Sequence, residues 1–253
     1  MTGWGALLVF VAGIGAGTVN TVVGSGTLLT FPALLAVGLA PVTANVSNTV
    51  GLVPGALSGS IGYRAELAGQ GRRTAILSTA SVLGGIVGAV LLLTLPPEAF
   101  RKVVPTLIGL ALVLVVLQPW LSDRLAARTG TDRTAVTPTL WTAVMLTGVY
   151  GGYFGAAQGV ILLAVMGVLL TDSLQRINGV KNVLTLLVNG VAAVIFAFTA
   201  DVDWVAAGLV AAGSVVGGVL GARVGRRLAP GALRVVIVIV GLAAIAKLVF
   251  AGS

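Results

Sequence analysis

The fold is decided by residues 13–63, which read GIGAGTVNTVVGSGTLLTFPALLAVGLAPVTANVSNTVGLVPGALSGSIGY. This stretch carries no charged residue, but two breaks interrupt it, Gly-Ser-Gly at 24–26 and Ala-Pro at 40–41. The apolar segment between them, 27–37, predicts a helix of roughly 17 Å, too short to cross a hydrocarbon core of about 30 Å. The next helix carries Asn45, Ser47, Asn48 and Thr49. Interrupted apolar helices with polar side chains at membrane depth are typical of a transport site.

The composition places the rest of the chain in the same environment. Of 253 residues, 57% are hydrophobic and 9% are charged, and the mean hydropathy is +1.10. Soluble domains have about 25% charged residues. The apolar runs are continuous rather than alternating, which excludes a β-barrel. We therefore expect an all-α polytopic protein of the cell membrane, surrounded by the lipid bilayer, with about eight to ten segments.

Two residue types that serve much of enzyme chemistry are missing. The sequence contains no Cys and no His, which removes thiolate and imidazole catalysis and the metal sites built from these side chains. All seven acidic residues fall in or beside loops, so neither a catalytic carboxylate pair nor a carboxylate-built cation site can be placed inside a span. We expect no enzyme activity, no metal and no cofactor. The net charge of +8 lies mainly on arginines in short loops, which follows the positive-inside rule and indicates no nucleic-acid partner.

The apolar runs predict ten segments in two similar halves. Eight segments have both bounds predicted: 4–23, 27–37, 42–63, 74–95, 140–157, 160–170, 174–199 and 204–222. The fifth segment ends near 117, before Pro119, and the tenth ends near 250. Residues 1–120 form the first half, 121–138 a polar cytoplasmic linker, and 139–253 the second half. Asn48 and Asn182 are 134 residues apart, and Pro97 and Pro230 are 133 apart. A nearly constant offset along a whole half indicates a duplication.

The loop charges give the two halves opposite orientations. Loop 64–73 has three Arg and one Glu, whereas its counterpart 198–204 has two Asp and no basic residue. Loop 223–234 has four Arg, and its counterpart 96–102 is nearly balanced. The basic loops should be cytoplasmic, so equivalent loops face opposite sides and the halves are inverted repeats, with both termini outside. Segments 1–2 and 6–7 form either re-entrant hairpins, which leaves six full crossings, or short spans, which gives ten.

The breaks at 24–26 and 158–159 open short helices whose first N–H groups and positive dipole ends are free. Two such starts facing each other near the midplane would bind an anion. The residues expected to take part are Gly24, Ser25, Gly26, Thr27, Asn45, Asn48, Gln158, Gly159, Lys181 and Asn182. The glycines could instead serve helix packing alone, and the asparagines could merely bridge helices.

Lys181 is the one cation expected well inside a helix. It lies roughly 12 Å along segment 8 if that segment begins near 173. A buried lysine is costly without a counter-ion or a wet path, so Lys181 either attracts an anion or extends to the cytoplasmic interface.

The order of these features resembles the TauE/SafE sulfite-exporter family over nearly the whole chain. The resemblance rests on GIGAGTVNTVVGSGTLLTFPALLAVG, then APVTANVSNTVGLVPGALSGSIGY, and on the second copy GVYGGYFGAAQGVILLAVMGVLLTDSLQRINGVKNVLTLLVNG. Gly24, Gly26 and Pro32 match the family's run of glycines followed by proline. The second copy departs from it, with Gln-Gly at 158–159 and no proline after them. The resemblance implies an exporter or permease of small sulfur-containing anions such as sulfite and organosulfonates.

The expected function is therefore transport of small anions, sulfite or sulfonates first, by alternating access of two inverted halves. Another small anion such as a carboxylate, and a channel instead of a transporter, remain alternatives. A scaffold would not need matched helix breaks, and an intramembrane enzyme has no visible catalytic set. Assembly as a homo-oligomer is left open.

Overall fold

The computed structural model describes residues 1–126, 135–224 and 230–250. Within them the chain forms ten α-helices and one short 3-10 helix at Arg64–Leu67. The α-helices are α1 (Gly3–Val22), α2 (Thr27–Ala36), α3 (Pro41–Gly62), α4 (Gly71–Thr94), α5 (Pro97–Ala126), α6 (Pro138–Tyr153), α7 (Gln158–Leu169), α8 (Leu174–Thr199), α9 (Trp204–Val224) and α10 (Pro230–Phe250). The all-α prediction is confirmed.

Local sequence accounts for most of the helix starts. The hydroxyl of Thr2 accepts a hydrogen bond from the Gly5 N–H, and Thr137 and Ser173 cap α6 and α8 in the same way. Proline occupies the first position of α3, α5, α6 and α10, where its missing N–H costs nothing. The starts of α1, α3, α6 and α8 lie within two residues of the predicted segment starts.

The predicted end of segment 5 is wrong. Helix α5 passes through both Pro105 and Pro119 and continues to Ala126, so residues 121–126 of the predicted linker are helical. Proline is tolerated inside membrane helices when neighbouring groups satisfy the freed carbonyl. The remainder of that linker, 127–134, lies outside the described residues.

The short helices fold back along the helices before them. A Cβ placed on Gly26 would lie 2.4 Å from the Ala16 carbonyl oxygen, and one on Gly5 would lie 3.1 Å from the Val37 side chain. Helix α2 therefore runs antiparallel to α1 and ends beside its start. The start of α6 and the end of α7 likewise share one apolar cluster, which contains Leu140 and Met166. Both pairs are therefore helical hairpins, and whether each is re-entrant or crosses the bilayer as two short spans stays a prediction.

The outer surface of the helices matches a lipid environment. Five helices of the described residues, α1, α4, α5, α8 and α9, are long and apolar enough to cross a bilayer. Large apolar side chains such as Leu110, Val113 and Val116 are about half exposed along α5, which in a water-soluble protein would be a large unpaired patch. The protein is an all-α, multi-pass membrane protein.

Equivalent helices of the two halves make equivalent contacts. Helix α1 packs along α9 as its counterpart α6 packs along α4, and α3 packs on α9 as α8 packs on α4. The closest approaches repeat as well: a Cβ on Gly217 would lie 2.0 Å from the Ile14 oxygen, and one on Gly84 would lie 2.2 Å from the Met145 oxygen. These glycines let neighbouring helices approach closely and are packing residues. The inverted relation of the halves itself stays a prediction that this pattern supports.

Loops at the same end of the helix bundle meet in space. On one face Arg73 of α4 forms an ion pair with Asp172, which precedes α8, at 2.8 Å. On the opposite face Arg101 and Lys247 line one cavity with the loop after α2. Which face is cytoplasmic stays a prediction from the loop charges.

Candidate functional site at the two helix breaks

The first break follows the end of α1 at Val22. Gly24 has φ of +89°, a conformation that suits glycine, and the N–H groups of Val23 and Gly24 both donate to the Val19 carbonyl, at 2.7 and 3.0 Å. Helix α2 then begins at Thr27. Among the described residues no acceptor faces the N–H groups of residues 25, 26 and 27, so the first break presents the free donors that the sequence predicted.

The second break lies before the position that the sequence predicted. Helix α6 ends at Tyr153, Gly155 and Ala157 have φ of 77° and 58°, and Gln158 is already the first residue of α7. The prediction at 158–159 is therefore wrong by a few residues. The error arises at Ala157, which adopts the left-handed conformation at a cost of order 1 kcal/mol. An alanine gives no sequence signal for that conformation.

The two breaks touch through their backbones. The Gly159 N–H donates to the Gly24 carbonyl at 3.0 Å. A Cβ on either glycine would lie 2.4 Å from the Cα of the other. The structure therefore brings together the two short-helix starts, as the sequence predicted. The Gly159 N–H is already bonded to the Gly24 carbonyl, so it is not free to bind a ligand.

Lys181 closes the broken end of α1. Its side chain is 0% exposed, and its Nζ donates to the carbonyls of Asn20 at 3.0 Å and Thr21 at 3.3 Å. A cation is favourable at the C-terminal end of a helix, where the dipole is negative. Extension to the cytoplasmic interface is thereby excluded, and the side-chain nitrogen of Lys181 stays beside the first break.

Asparagine amides from each half close the hairpin of the other half. Asn178 and Asn182 of α8 donate to the Thr21 carbonyl at 3.2 and 3.3 Å. Asn45 of α3 donates to the Tyr153 carbonyl at 3.0 Å. Asn45 and Asn178 are 133 residues apart, and this offset was the signal that could have added Asn178 to the predicted site.

Asn48 has a different environment from the other asparagines of the site. Its Nδ2 donates to the Thr27 hydroxyl at 3.3 Å, and its Oδ1 accepts from the Thr30 hydroxyl. Asn48 thus ties α2 to α3 within one half. Its side-chain oxygen and nitrogen are both paired, so what it contributes is the position of Thr27 at the start of α2.

Several buried polar atoms at the breaks have no partner. They are Ser25 Oγ, Asn45 Oδ1, Asn178 Oδ1 and both amide atoms of Gln158. Leaving such an atom unpaired costs about 1–3 kcal/mol. Phe154 of the second break is apolar and packs its ring edge-on against Phe31 of α2 at 5.3 Å. A small polar occupant would satisfy atoms that the protein itself leaves unpaired.

Comparison with known proteins gives one consistent result. A family model described as "Sulfite exporter TauE/SafE" matches residues 9–248. A "Probable membrane transporter protein" of Haemophilus influenzae is 26% identical over 246 residues, covering 96% of this chain and 94% of the relative. "Probable membrane transporter protein YfcA" of Escherichia coli K12 is 29% identical over 250 residues, covering 96% and 89%. No solved structure matches.

Proposed function

Because the chain belongs to the TauE/SafE sulfite-exporter family of membrane transporters, we propose that it carries small anions, sulfite or organosulfonates first, across the cell membrane. The observation that carries the proposal is the contact of Gly24 with Gly159. It joins two helix starts at a place where donors are free, a cation is near and buried polar atoms lack partners.

The anion would be held by neutral donors first. The N–H groups of residues 25–27 and the hydroxyl of Ser25 belong to the first break, and the Gln158 amide belongs to the second. A helix N-terminus contributes about 0.3–1 kcal/mol to binding a negative charge at the surface and up to about 2 kcal/mol when partly buried. The Lys181 chain passes beside the contact, since a Cβ on Gly159 would lie 3.1 Å from its Cδ. Its ammonium lowers the cost of bringing the anion this far from water.

Alternating access follows from a relative motion of the two halves. The packing pattern that survives exchange of the halves supports an inverted repeat, and inverted repeats transport by rocking around a fixed site. The ion pair of Arg73 with Asp172 joins the halves on one face. Opening that face would require this contact to break, which makes it a gate of the transport cycle.

A carboxylate is the alternative substrate, since N–H, hydroxyl, amide and ammonium groups suit any small oxyanion. The residues at the breaks hold no base or nucleophile set that would support catalysis, and the proposal includes no enzyme activity.

Flux into proteoliposomes tests the proposal. Labelled sulfite, an organosulfonate and a carboxylate are supplied with and without a pH gradient. We expect saturable uptake of the sulfur anions with mutual competition. Faster uptake of the carboxylate would favour the alternative substrate, rates that do not saturate would indicate a channel, and the absence of any anion uptake would refute the proposal.

A further inference from the structure

The ends of α1 and α6 are equivalent in the repeat, but their carbonyl groups are satisfied differently. At the end of α1, the ammonium of Lys181 and two amides bind the carbonyls of Asn20 and Thr21. At the end of α6, the described residues supply one side-chain donor to the carbonyls of the last turn, the Asn45 amide on the Tyr153 carbonyl. The negative end of α6 therefore lacks the cation that the end of α1 has.

The reason for the difference lies at positions 47 and 48 of α3. The 134-residue offset that pairs Asn48 with Asn182 makes Ser47 the counterpart of Lys181, and the 133-residue offset that pairs Asn45 with Asn178 makes it Asn48. Both residues are neutral. The Asn48 amide binds the hydroxyls of Thr27 and Thr30 within its own half and supplies no charge to the end of α6.

Oxygen atoms without donors collect at this end of α6. The carbonyls of Gly151 and Gly152 accept no hydrogen bond from any described residue. The Oδ1 of Asn45, a residue that is 0% exposed, is unpaired beside the Tyr153 carbonyl. The amide of Gln158, 2% exposed and also unpaired, lies over Gly151, where a Cβ would come within 2.4 Å of it. These groups, apart from the Gln158 nitrogen, are acceptors only, and each belongs to the last turn of α6 or lies against one of its residues, at the negative end of the helix dipole.

We propose that the end of α6 binds a sodium ion through main-chain oxygens of residues 151–153 and the side-chain oxygens of Asn45 and Gln158. Hard cations take oxygen ligands, and divalent ions favour carboxylates, of which the described residues place none here. Half-helix C-terminal ends coordinate sodium in transporters built from broken helices. Lys181 then acts at the end of α1 as a tethered cation, and sodium acts as its exchangeable counterpart.

The site is argued from α6 alone, whereas its role in transport rests on the proposed function. Sodium at one break and Lys181 at the other would place a positive charge on each side of the Gly24–Gly159 contact. Both charges favour an anion between them, so sodium would raise anion affinity by about 5–150-fold, the usual range of coupling between two sites. This supplies the energy coupling that buried carboxylates provide in other transporters.

Direct binding tests the site without any transport measurement. Purified protein in detergent is assayed for binding of radioactive sodium, and its thermal unfolding is compared in sodium, potassium and choline chloride at equal ionic strength. We expect saturable sodium binding and a sodium-specific rise of the unfolding midpoint. Asn45→Ala should abolish both, and Gln158→Leu should weaken sodium affinity about tenfold or more.

Asn178→Ala is the matched control. It makes the same change at the end of α1, where Lys181 already supplies the charge, so sodium binding should persist. Binding that survives Asn45→Ala and Gln158→Leu, or that Asn178→Ala alone removes, would overturn the placement. The absence of sodium binding to the unaltered protein, or stabilisation by protons alone, would overturn the proposal itself.

Flux measurements separate this inference from the proposed function. Sodium binding with no anion flux would leave the sodium site standing and refute anion transport. Anion flux that is unchanged when choline replaces sodium would refute the coupling and leave anion transport standing.

Discussion

Replacing Gly159 with alanine tests whether the two helix breaks must touch. The new Cβ would lie 2.4 Å from the Gly24 Cα and 3.0 Å from the Gly24 carbonyl oxygen, whereas carbon atoms in contact stay about 3.5–4.0 Å apart. The hairpin tips would have to separate by about 1 Å. Overpacking of this kind costs about 1–3 kcal/mol, and loss of the 3.0 Å hydrogen bond between the glycines adds about 0.5–1.5 kcal/mol. We expect a total of roughly 2–4 kcal/mol.

Thermal unfolding in detergent and anion flux in proteoliposomes measure the effect. At about 2–4 °C per kcal/mol for a chain of this length, the midpoint should fall by about 4–16 °C, and flux should fall because the donors of the first break move away from Gln158. Gly190→Ala is the matched control, since a Cβ at that position of α8 meets nothing within 4 Å. If Gly159→Ala behaves like Gly190→Ala in both assays, the contact is not what holds the site together.

Three further variants probe other contacts. Lys181→Met removes the ammonium from the end of α1. Since hydrogen bonds to charged groups contribute about 1.5–3 kcal/mol, we expect anion flux to fall about tenfold or more while folded protein is still obtained. Unchanged flux would show that Lys181 is not part of the site. Asp172→Asn breaks the 2.8 Å ion pair with Arg73, and we expect the free energy of unfolding, measured by thermal unfolding, to fall by about 1–3 kcal/mol. An unchanged free energy of unfolding would show that solvent screens the pair fully. Gly217→Ala would place a Cβ 2.0 Å from an α1 oxygen, whereas at Gly208 of the same helix it would meet nothing within 4 Å, so only the first change should lower the midpoint.

Helix positions were largely readable from the sequence, because they depend on local signals. The predicted segment 174–199 coincides with α8, and the segment predicted to begin at 204 begins there. Pro119 was misread, because the effect of a proline depends on whether neighbouring groups satisfy the freed carbonyl, which is a tertiary property. The return of Val37 to Gly5 was unpredictable for the same reason, since no local signal indicates it, and the choice between six full crossings and ten spans stays a prediction. The division into halves at 121–138 stays a prediction.

The candidate site was predictable in its positions but not in its contacts. Glycine and serine at 24–26 revealed the first break, and the repeat offset revealed its partner region near Gly159. The sequence could not say that Lys181 binds two carbonyls rather than water, because that depends on where α1 ends in space. Nor could it assign Asn45 to the opposite hairpin, because an asparagine amide can bind any carbonyl within reach.

Two asparagine hydrogen bonds between the halves limit how the halves can move. Asn45 belongs to the first half and holds the tip of the second hairpin at Tyr153, while Asn178 belongs to the second half and holds the tip of the first hairpin at Thr21. Each hairpin is therefore bonded to helices of the opposite half as well as to its own chain. A rocking motion that kept both hydrogen bonds would have to carry the two tips together, so the Gly24–Gly159 contact would stay closed while the outer loops separate. Under the proposed rocking mechanism we therefore expect the fixed point to lie at the two breaks and access to be controlled at the loops, where Asp172 binds Arg73.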